Sequence, residues 1–269
     1  MSTRHGARRT RRGIQSIEVG ARLIDALVER GGPLMLRDLA AAAGMAPAKA
    51  HRYLVSFVRI GLVEQLPETG RYDLGAFALR LGLASLARLD AIRAATPVLA
   101  HLRDRVEETT ALAVWGSYGA TVVRWEEARR PVTVNLRSGG VLPLLTSATG
   151  RVFAAFLPQA QTRVLIDREL AAAARNPNAT GPRTRRQVQA LLREVRRRRM
   201  ARVEGDLIPG VAALSAPVFD HAGRLVLALT ALGHAGHFDT RWSGGVARAL
   251  REAASGLSRR LGAISAPAE

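Results

Sequence analysis

From Ile17 the apolar positions Leu23, Ile24, Leu27 and Val28 recur at helical spacing and stop at Gly31-Gly32-Pro33, a glycine pair followed by a breaker. The pattern predicts a helix with Ser16 as its cap. A short second stretch, Leu36, Leu39, Ala40 and Ala43, ends at Gly44. Pro47 then suits the first turn of a third helix, where its missing N–H would be unpaired anyway. On that helix Ala50, Tyr53, Leu54, Phe57, Val58 and Ile60 fall on one side, and Ala48, Arg52, Ser56 and Arg59 on the other, flanked by Lys49 and His51. Residues Leu62 to Leu66, the turn Pro67-Glu68-Thr69-Gly70 and Arg71 to Leu74 read as a β-hairpin with a long turn.

Beyond Gly75, Leu79, Leu83, Leu86, Leu89 and Ile92 keep helical spacing to about Thr96, with more leucine than one packed face needs. That segment is either a buried core helix or a linker whose spare apolar face pairs with a second subunit. A further helix is expected from Thr96-Pro97 through Leu99, Leu102 and Val106. Candidate strands follow at Ala111 to Ser117, Thr121 to Glu127 and Val132 to Leu136. Helices are then expected near Gly150 to Leu157, Thr162 to Ala173 and Thr184 to Met200. Strands near Ala213 to Phe219 and Leu225 to Ala231 precede a closing helix from Asp239 to Leu261. A central antiparallel sheet with helices outside it makes the second half an α+β, sensor-like domain.

The chain has 269 residues, of which 48% are hydrophobic, enough for two modest cores and too many for a disordered chain. Its longest apolar stretch, Leu225 to Leu232, is far short of a bilayer span, so no membrane helix, no signal peptide and a cytoplasmic location are expected. The absence of cysteine excludes disulfides, thiolate metal sites and cysteine nucleophiles. A net charge of +18 calls for a polyanionic partner. Half of the excess, +9, lies in residues 175–202, and a second concentration is the arm Arg4, Arg8, Arg9, Arg11 and Arg12. Because 39 of the 40 basic residues are arginine and Lys49 is the one lysine, the charge is informative and the preference for arginine is not.

Two helices joined by a tight glycine turn, the second with a basic face and small Ala48 near its start, describe a helix-turn-helix. Its second helix suits a major groove, and the hairpin after it reads as a wing with Arg71 near a phosphate or the minor groove. The run Ile17 to Gly75, above all RDLAAAAGMAPAKAHRYLVSFVRIGLVEQLPETGRYDLG, resembles the winged helix-turn-helix of the IclR family of bacterial transcriptional regulators. The DNA-binding set is Arg9, Arg11 and Arg12 of the arm, Ala48, Lys49, His51, Arg52 and Ser56 of the third helix, and Arg71. Arg52 is either a base reader or a phosphate clamp, and His51 a phosphate or packing residue.

The second half resembles the effector-binding domain of the same family, whose fold is similar to GAF-type sensors, through LPLLTSATGRVFAAFLP, PGVAALSAPVFDHAGRLVLALTALG and the closing helix. The resemblance implies a basic arm at 1–14, a winged helix-turn-helix at 15–76, a linker helix at 77–96, an effector-binding domain at 97–264 and a tail at 265–269. Physically, a helix starting near Thr146 to Gly150 offers unpaired N–H groups to a carboxylate, against the plainer reading of capping by Ser147 or Thr149. Carried over residue by residue, the effector positions are Ala148, Thr149, Val203, Ala213, Thr230 and Leu232, and the helix start adds Thr146 and Gly150 to the set. With valine, alanine and leucine among them, the pocket suits an aromatic or bulkier organic acid. Glu204 or Asp206 would restore a missing acidic group if the alignment slips, and Trp115, Trp125 and Phe153 are candidate aromatic walls or ordinary core.

No nucleophile elbow, phosphate-cradling glycine motif or H-E-x-x-H is present, and His234, His237 and Asp239 make only a weak metal spacing, so no enzyme, cofactor or metal is expected. The expected function is a repressor on a palindromic double-stranded DNA operator, acting as a homodimer or dimer of dimers and modulated by a small organic acid. The alternative is a ligand-independent architectural DNA-binding protein with a decayed sensor domain. The basic run Arg183 to Arg202 is a solvated face, a contact to flanking DNA or a site for an acidic partner.

Overall fold

The structure, a computed structural model, describes residues 13–87, 90–128 and 138–263. The chain divides into two compact units, Met1–Arg88 and Leu89–Glu269. Arg9, Arg11 and Arg12, like the strand expected at Val132 to Leu136, lie outside the described residues.

The first unit runs α1 (Gln15–Arg30), α2 (Leu36–Ala42), α3 (Pro47–Arg59), β1 (Val63–Gln65), β2 (Tyr72–Leu74) and α4 (Ala76–Ala87). Leu23 and Leu27 of α1, Leu39 of α2 and Leu54 of α3 form its buried centre with Ala40, Ala50 and Val63. Each fully buried leucine contributes about 1.5–3 kcal/mol. The wing is the antiparallel pair β1–β2, with Val63 opposite Leu74, and Leu34 adds a bridge to Tyr72, its N–H donating to the Tyr72 carbonyl at 2.9 Å. Ser16 is not the cap of α1, as Ile14 holds that position without any side-chain bond and Ser16 lies within the helix. Val58 and Ile60, expected on the packed face of α3, are 39% and 57% exposed, because the helix meets its neighbours through the narrower stripe around Ala50 and Leu54.

The second unit runs α5 (Ala91–Val106), β3 (Thr109–Gly116), β4 (Gly119–Glu126), β5 (Val141–Leu142), α6 (Ala148–Phe156), α7 (Gln159–Arg175), α8 (Arg185–Arg198), β6 (Ala201–Glu204), β7 (Val211–Phe219), β8 (Leu225–His234) and α9 (Gly245–Arg260). Its six strands form one antiparallel sheet in the order β5-β4-β3-β8-β7-β6. Strand alternation divides the core in two. Leu112, Leu214, Leu229 and Ala231 pack with α5 and α9, while Ala111, Ala213, Ala228 and Leu232 pack with α6 and α8. Burial on both faces explains why β8 reads as a continuous apolar run.

Three expected boundaries move. The region from Gly75 to Thr96 is two helices, α4 and α5, and Thr96-Pro97 lies inside α5 rather than at its start. Asp90 caps α5 by accepting the Arg93 N–H at 3.0 Å, which starts that helix six residues ahead of its proline. The closing helix begins at Gly245 rather than Asp239, because the Asp239 carboxylate folds the preceding turn, accepting from Arg241 N and Gly245 N. The edge strands β5 and β6 were not foreseen, being only two and four residues long.

Candidate functional site

At the turn between α2 and α3, Gly44 adopts φ +64°, a left-handed conformation, and the Met45 N–H donates to the Ala40 carbonyl at 2.9 Å. This sets the start of α3, where Ala48, Lys49, His51, Arg52 and Ser56 are all exposed. Ser56 donates its hydroxyl to the Arg52 carbonyl at 3.3 Å, which leaves its lone pairs facing outward. Neither Lys49 nor Arg52 has an acidic partner within ion-pair distance among the described residues, and α3 has no acidic residue in its first turn. Arg71 is exposed at the entry to β2. Val55, 44% exposed, belongs to the same face of α3 as Ala48 and Arg52 and was overlooked. A helical wheel was enough to find it.

The second unit holds a cavity of about 50 Å³ between the sheet and α6. Ala148, Thr149, Val203, Ala213, Thr230 and Leu232 line it, so six of the eight expected effector positions come together. Thr146 and Gly150 do not line it. Thr146 packs beside Gly181, and Gly150 lies so close to the Pro143 carbonyl and Leu144 Cα that a Cβ there would collide with both. Of the three candidate aromatic walls only Trp125 lines the cavity, whereas Trp115 and Phe153 pair in the core with ring centres 5.8 Å apart. Asp206 and Glu204 are absent from the lining, since Asp206 turns to Arg151 and Glu204 lies 3.6 Å from Arg202.

The start of α6 is built for its position. Ser147 caps the helix, accepting the Gly150 N–H at 2.8 Å and donating its own hydroxyl to the Pro143 carbonyl at 2.6 Å. That bond leaves the Ala148 and Thr149 N–H groups with no hydrogen-bond partner among the described residues, although both residues are buried. Next to them runs a chain of buried hydroxyls. Thr149 Oγ1 lies 2.7 Å from Thr230 Oγ1, Thr230 donates to Ser215 Oγ at 2.9 Å, and Ser215 donates to the Leu229 carbonyl at 3.2 Å. Since Thr230 and Ser215 each spend their one hydrogen onward, Thr149 is the donor in its pair.

Two charged residues that the sequence reading passed over hold this structure in place. Glu169 of α7 accepts the Leu144 and Leu145 N–H groups at 2.7 and 2.8 Å, and burial raises its carboxyl above the ordinary value while those two donors act the other way. Arg151 of α6 is buried, donates to the Leu145 carbonyl at 2.8 Å and the Arg202 carbonyl at 2.6 Å, and pairs with Asp206 at 3.2 Å. Burial lowers the Arg151 pKa, and the charge of Asp206 opposes that shift. The signal was a lone arginine inside the apolar run ATGRVFAAF, where a charge requires a partner.

His234 and His237 stand with ring centres 5.9 Å apart, but Asp239 is spent on Arg241, which helps hold its carboxyl at about 2. Among the described residues no three metal-binding side chains converge, and no helix is long and apolar enough to cross a membrane.

Comparison with known proteins decides what these two units are. The model of the IclR helix-turn-helix domain matches residues 16–67, and that of the bacterial transcriptional regulator IclR C-terminal domain matches residues 83–259. The chain belongs to the IclR family. It is therefore a transcription regulator with a DNA-binding helix-turn-helix unit and an IclR effector domain. The crystal structure of HmgR from Pseudomonas aeruginosa is similar, with 43% identity, 94% of this chain and 100% of that one covered, and a TM-score of 0.83. The glycerol operon regulatory protein of Streptomyces griseus is 31% identical over 94% of this chain and 98% of its own length. The transcriptional repressor IclR of Escherichia coli is 28% identical over 58% of this chain, and the match spans 58% of that protein's length.

Proposed function

We propose that this IclR-family regulator binds a palindromic operator as a homodimer, or a dimer of dimers, and that a small organic acid seated at the start of α6 changes its operator affinity. The observation that carries the effector half is the pair of unpaired N–H groups on Ala148 and Thr149, buried at the positive end of a capped helix on residues that line a cavity. A carboxylate satisfies both groups, and Val203, Ala213 and Leu232 enclose its apolar body. Trp125, Leu142 and Leu207 add to this apolar lining, which suits a ligand with an apolar or aromatic body. An IclR homologue from Microbacterium hydrocarbonoxydans, with the same fold at 20% identity and a TM-score of 0.55, is complexed with 4-hydroxybenzoate, an aromatic acid.

On the DNA side, α3 enters the major groove. Arg52 and Lys49 contact base edges or phosphates, Ala48 permits close approach, and Val55 supplies methyl groups for a thymine methyl. His51, Ser56 and Arg71 complete the contact with the backbone, and the arm residues Arg9, Arg11 and Arg12 add phosphate contacts. The exposed Leu79 and Leu83 of α4, four positions apart, offer an apolar face to a second subunit, and Phe77 and Leu81 are exposed on the other side of the helix. Repression follows where the operator overlaps a promoter. The complete cap and hydroxyl chain around the cavity favour this reading over a ligand-independent architectural protein.

The test combines thermal unfolding with affinity for DNA from upstream of the gene, in the presence of benzoate, 4-hydroxybenzoate and related one-ring acids. An effector raises the melting temperature and changes the Kd for DNA by about 5–150-fold. Ala213→Leu fills the cavity and abolishes both responses while leaving ligand-free DNA affinity intact. Responses that persist in that variant, or a panel with no effect on DNA affinity, would overturn the reading.

A further inference from the structure

A second and larger concavity lies on the outer side of the effector unit, between α6, α7 and α8, and encloses about 380 Å³. That is within the 300–1,000 Å³ of ordinary ligand pockets. Its floor is apolar, formed by Ala154, Leu157, Ile166, Val188 and Leu192. Its rim carries the guanidinium groups of Arg163, Arg185, Arg193 and Arg196 against a single carboxylate, Asp167. The capping box of Thr184 and Gln187 fixes the start of α8, and Arg196 Nε donates to the Ala155 carbonyl at 2.6 Å, so two of the three walls are tied together.

The pairing inside the rim is incomplete. Arg185 Nη2 lies 2.8 Å from Asp167 Oδ1, an ion pair by distance, yet that oxygen is buried without an aligned hydrogen-bond donor. Arg163 reaches Asp167 only at 4.0 Å, and Arg193 has no acidic partner within ion-pair distance among the described residues. Four guanidiniums facing one carboxylate around an apolar floor leave a local excess of three positive charges. A merely solvated charged face would have no such floor.

We propose that this groove is a second ligand site, separate from the cavity at the start of α6, and that it takes an organic dianion with an apolar body, such as an aryl or alkyl phosphate or a dicarboxylate. The body lies on Leu157, Ile166 and Leu192, and the anionic group meets Arg193 and Arg163. Part of the positive charge between residues 175 and 202 is thereby assigned to ligand capture.

The probe is 2-naphthyl phosphate, titrated calorimetrically into the full-length protein, with inorganic phosphate and 2-naphthol as controls. The expected result is saturable binding of the naphthyl phosphate, at least tenfold tighter than either control. Arg163→Glu and Arg193→Glu, at exposed positions, should each weaken it by tenfold or more with an unchanged melting temperature. Ala213→Leu, in the other cavity, should leave it intact. Equal binding of inorganic phosphate would overturn the proposal in favour of a plain charge cluster. Loss of binding in Ala213→Leu would move the ligand to the other cavity, and either that result or the absence of saturable binding would overturn the proposal.

Discussion

The helix α3, proposed to read DNA, and the helix α6, proposed to seat an effector, each present their N-terminal end to a proposed site, yet they are built in opposite ways. Along α3 only Ala50 and Leu54 are buried, and the helix offers side chains to its surroundings: a lysine, an arginine and a histidine with no acidic residue in the first turn. Along α6 every residue from Ala148 to Ala155 is buried, and the helix offers backbone, two N–H groups left over by the Ser147 cap. The exposed helix exchanges side chains at little cost to the fold. The buried one cannot, because the same packing that aims its backbone also holds the domain together.

That contrast breaks or sharpens through substitutions ordered by size. Arg151→Ala removes a buried cation from two carbonyls and from Asp206, and a loss of about 3–5 kcal/mol in urea unfolding is expected. Gly150→Ala drives a methyl group into the Pro143–Leu144 backbone, and overpacking of this kind costs about 1–3 kcal/mol, readable as a fall in melting temperature. Ser147→Ala removes the α6 cap for about 1 kcal/mol and frees the Gly150 N–H as well. By contrast, Arg52→Ala and Lys49→Ala on α3 should stay within about 0.5 kcal/mol of the parent stability. A large loss of stability in either would erase the distinction.

The smallest effect is a pH dependence at Glu169. Its folded-state pKa is raised by burial, so the protonated form is favoured by folding. The resulting stability is present in full below the unfolded value, near 4.5, and is lost as pH rises through the raised value. Glu169→Gln cannot ionise, and its stability should be flatter than that of the parent across that window when unfolding is measured at several pH values. An identical pH profile would remove the assignment.

The same contrast explains what was legible in the sequence. Amphipathic periodicity finds α3 and its exposed residues without any knowledge of tertiary structure, and strand alternation places Ala213, Thr230 and Leu232 on one side of their sheet. The hydroxyl chain joins Thr149 to Thr230, 81 positions further on, and reaches Ser215 only through the pairing of β7 with β8, so no local pattern encodes it. Glu169 acts on Leu144 and Leu145 from another helix, and its position in α7 shows nothing of this. Thr146 and Gly150 were assigned to the lining because they share a segment with Ala148 and Thr149. Adjacency in the chain does not decide which residue faces a cavity, and a glycine pressed against backbone serves the packing of the helix instead. The proline rule misplaced the start of α5 because a capping aspartate upstream outweighed it.

The central claim is that α3 binds DNA through side chains the fold does not need. Its most direct test is the affinity of the parent and of the Lys49→Ala, Arg52→Ala double variant for DNA from upstream of the gene, measured by fluorescence anisotropy across a range of salt concentrations. The account predicts weaker binding and, for each phosphate no longer neutralised, a slope of log affinity against log salt shallower by about one, with the melting temperature unchanged. Equal affinity and an equal salt slope in the two proteins would contradict it.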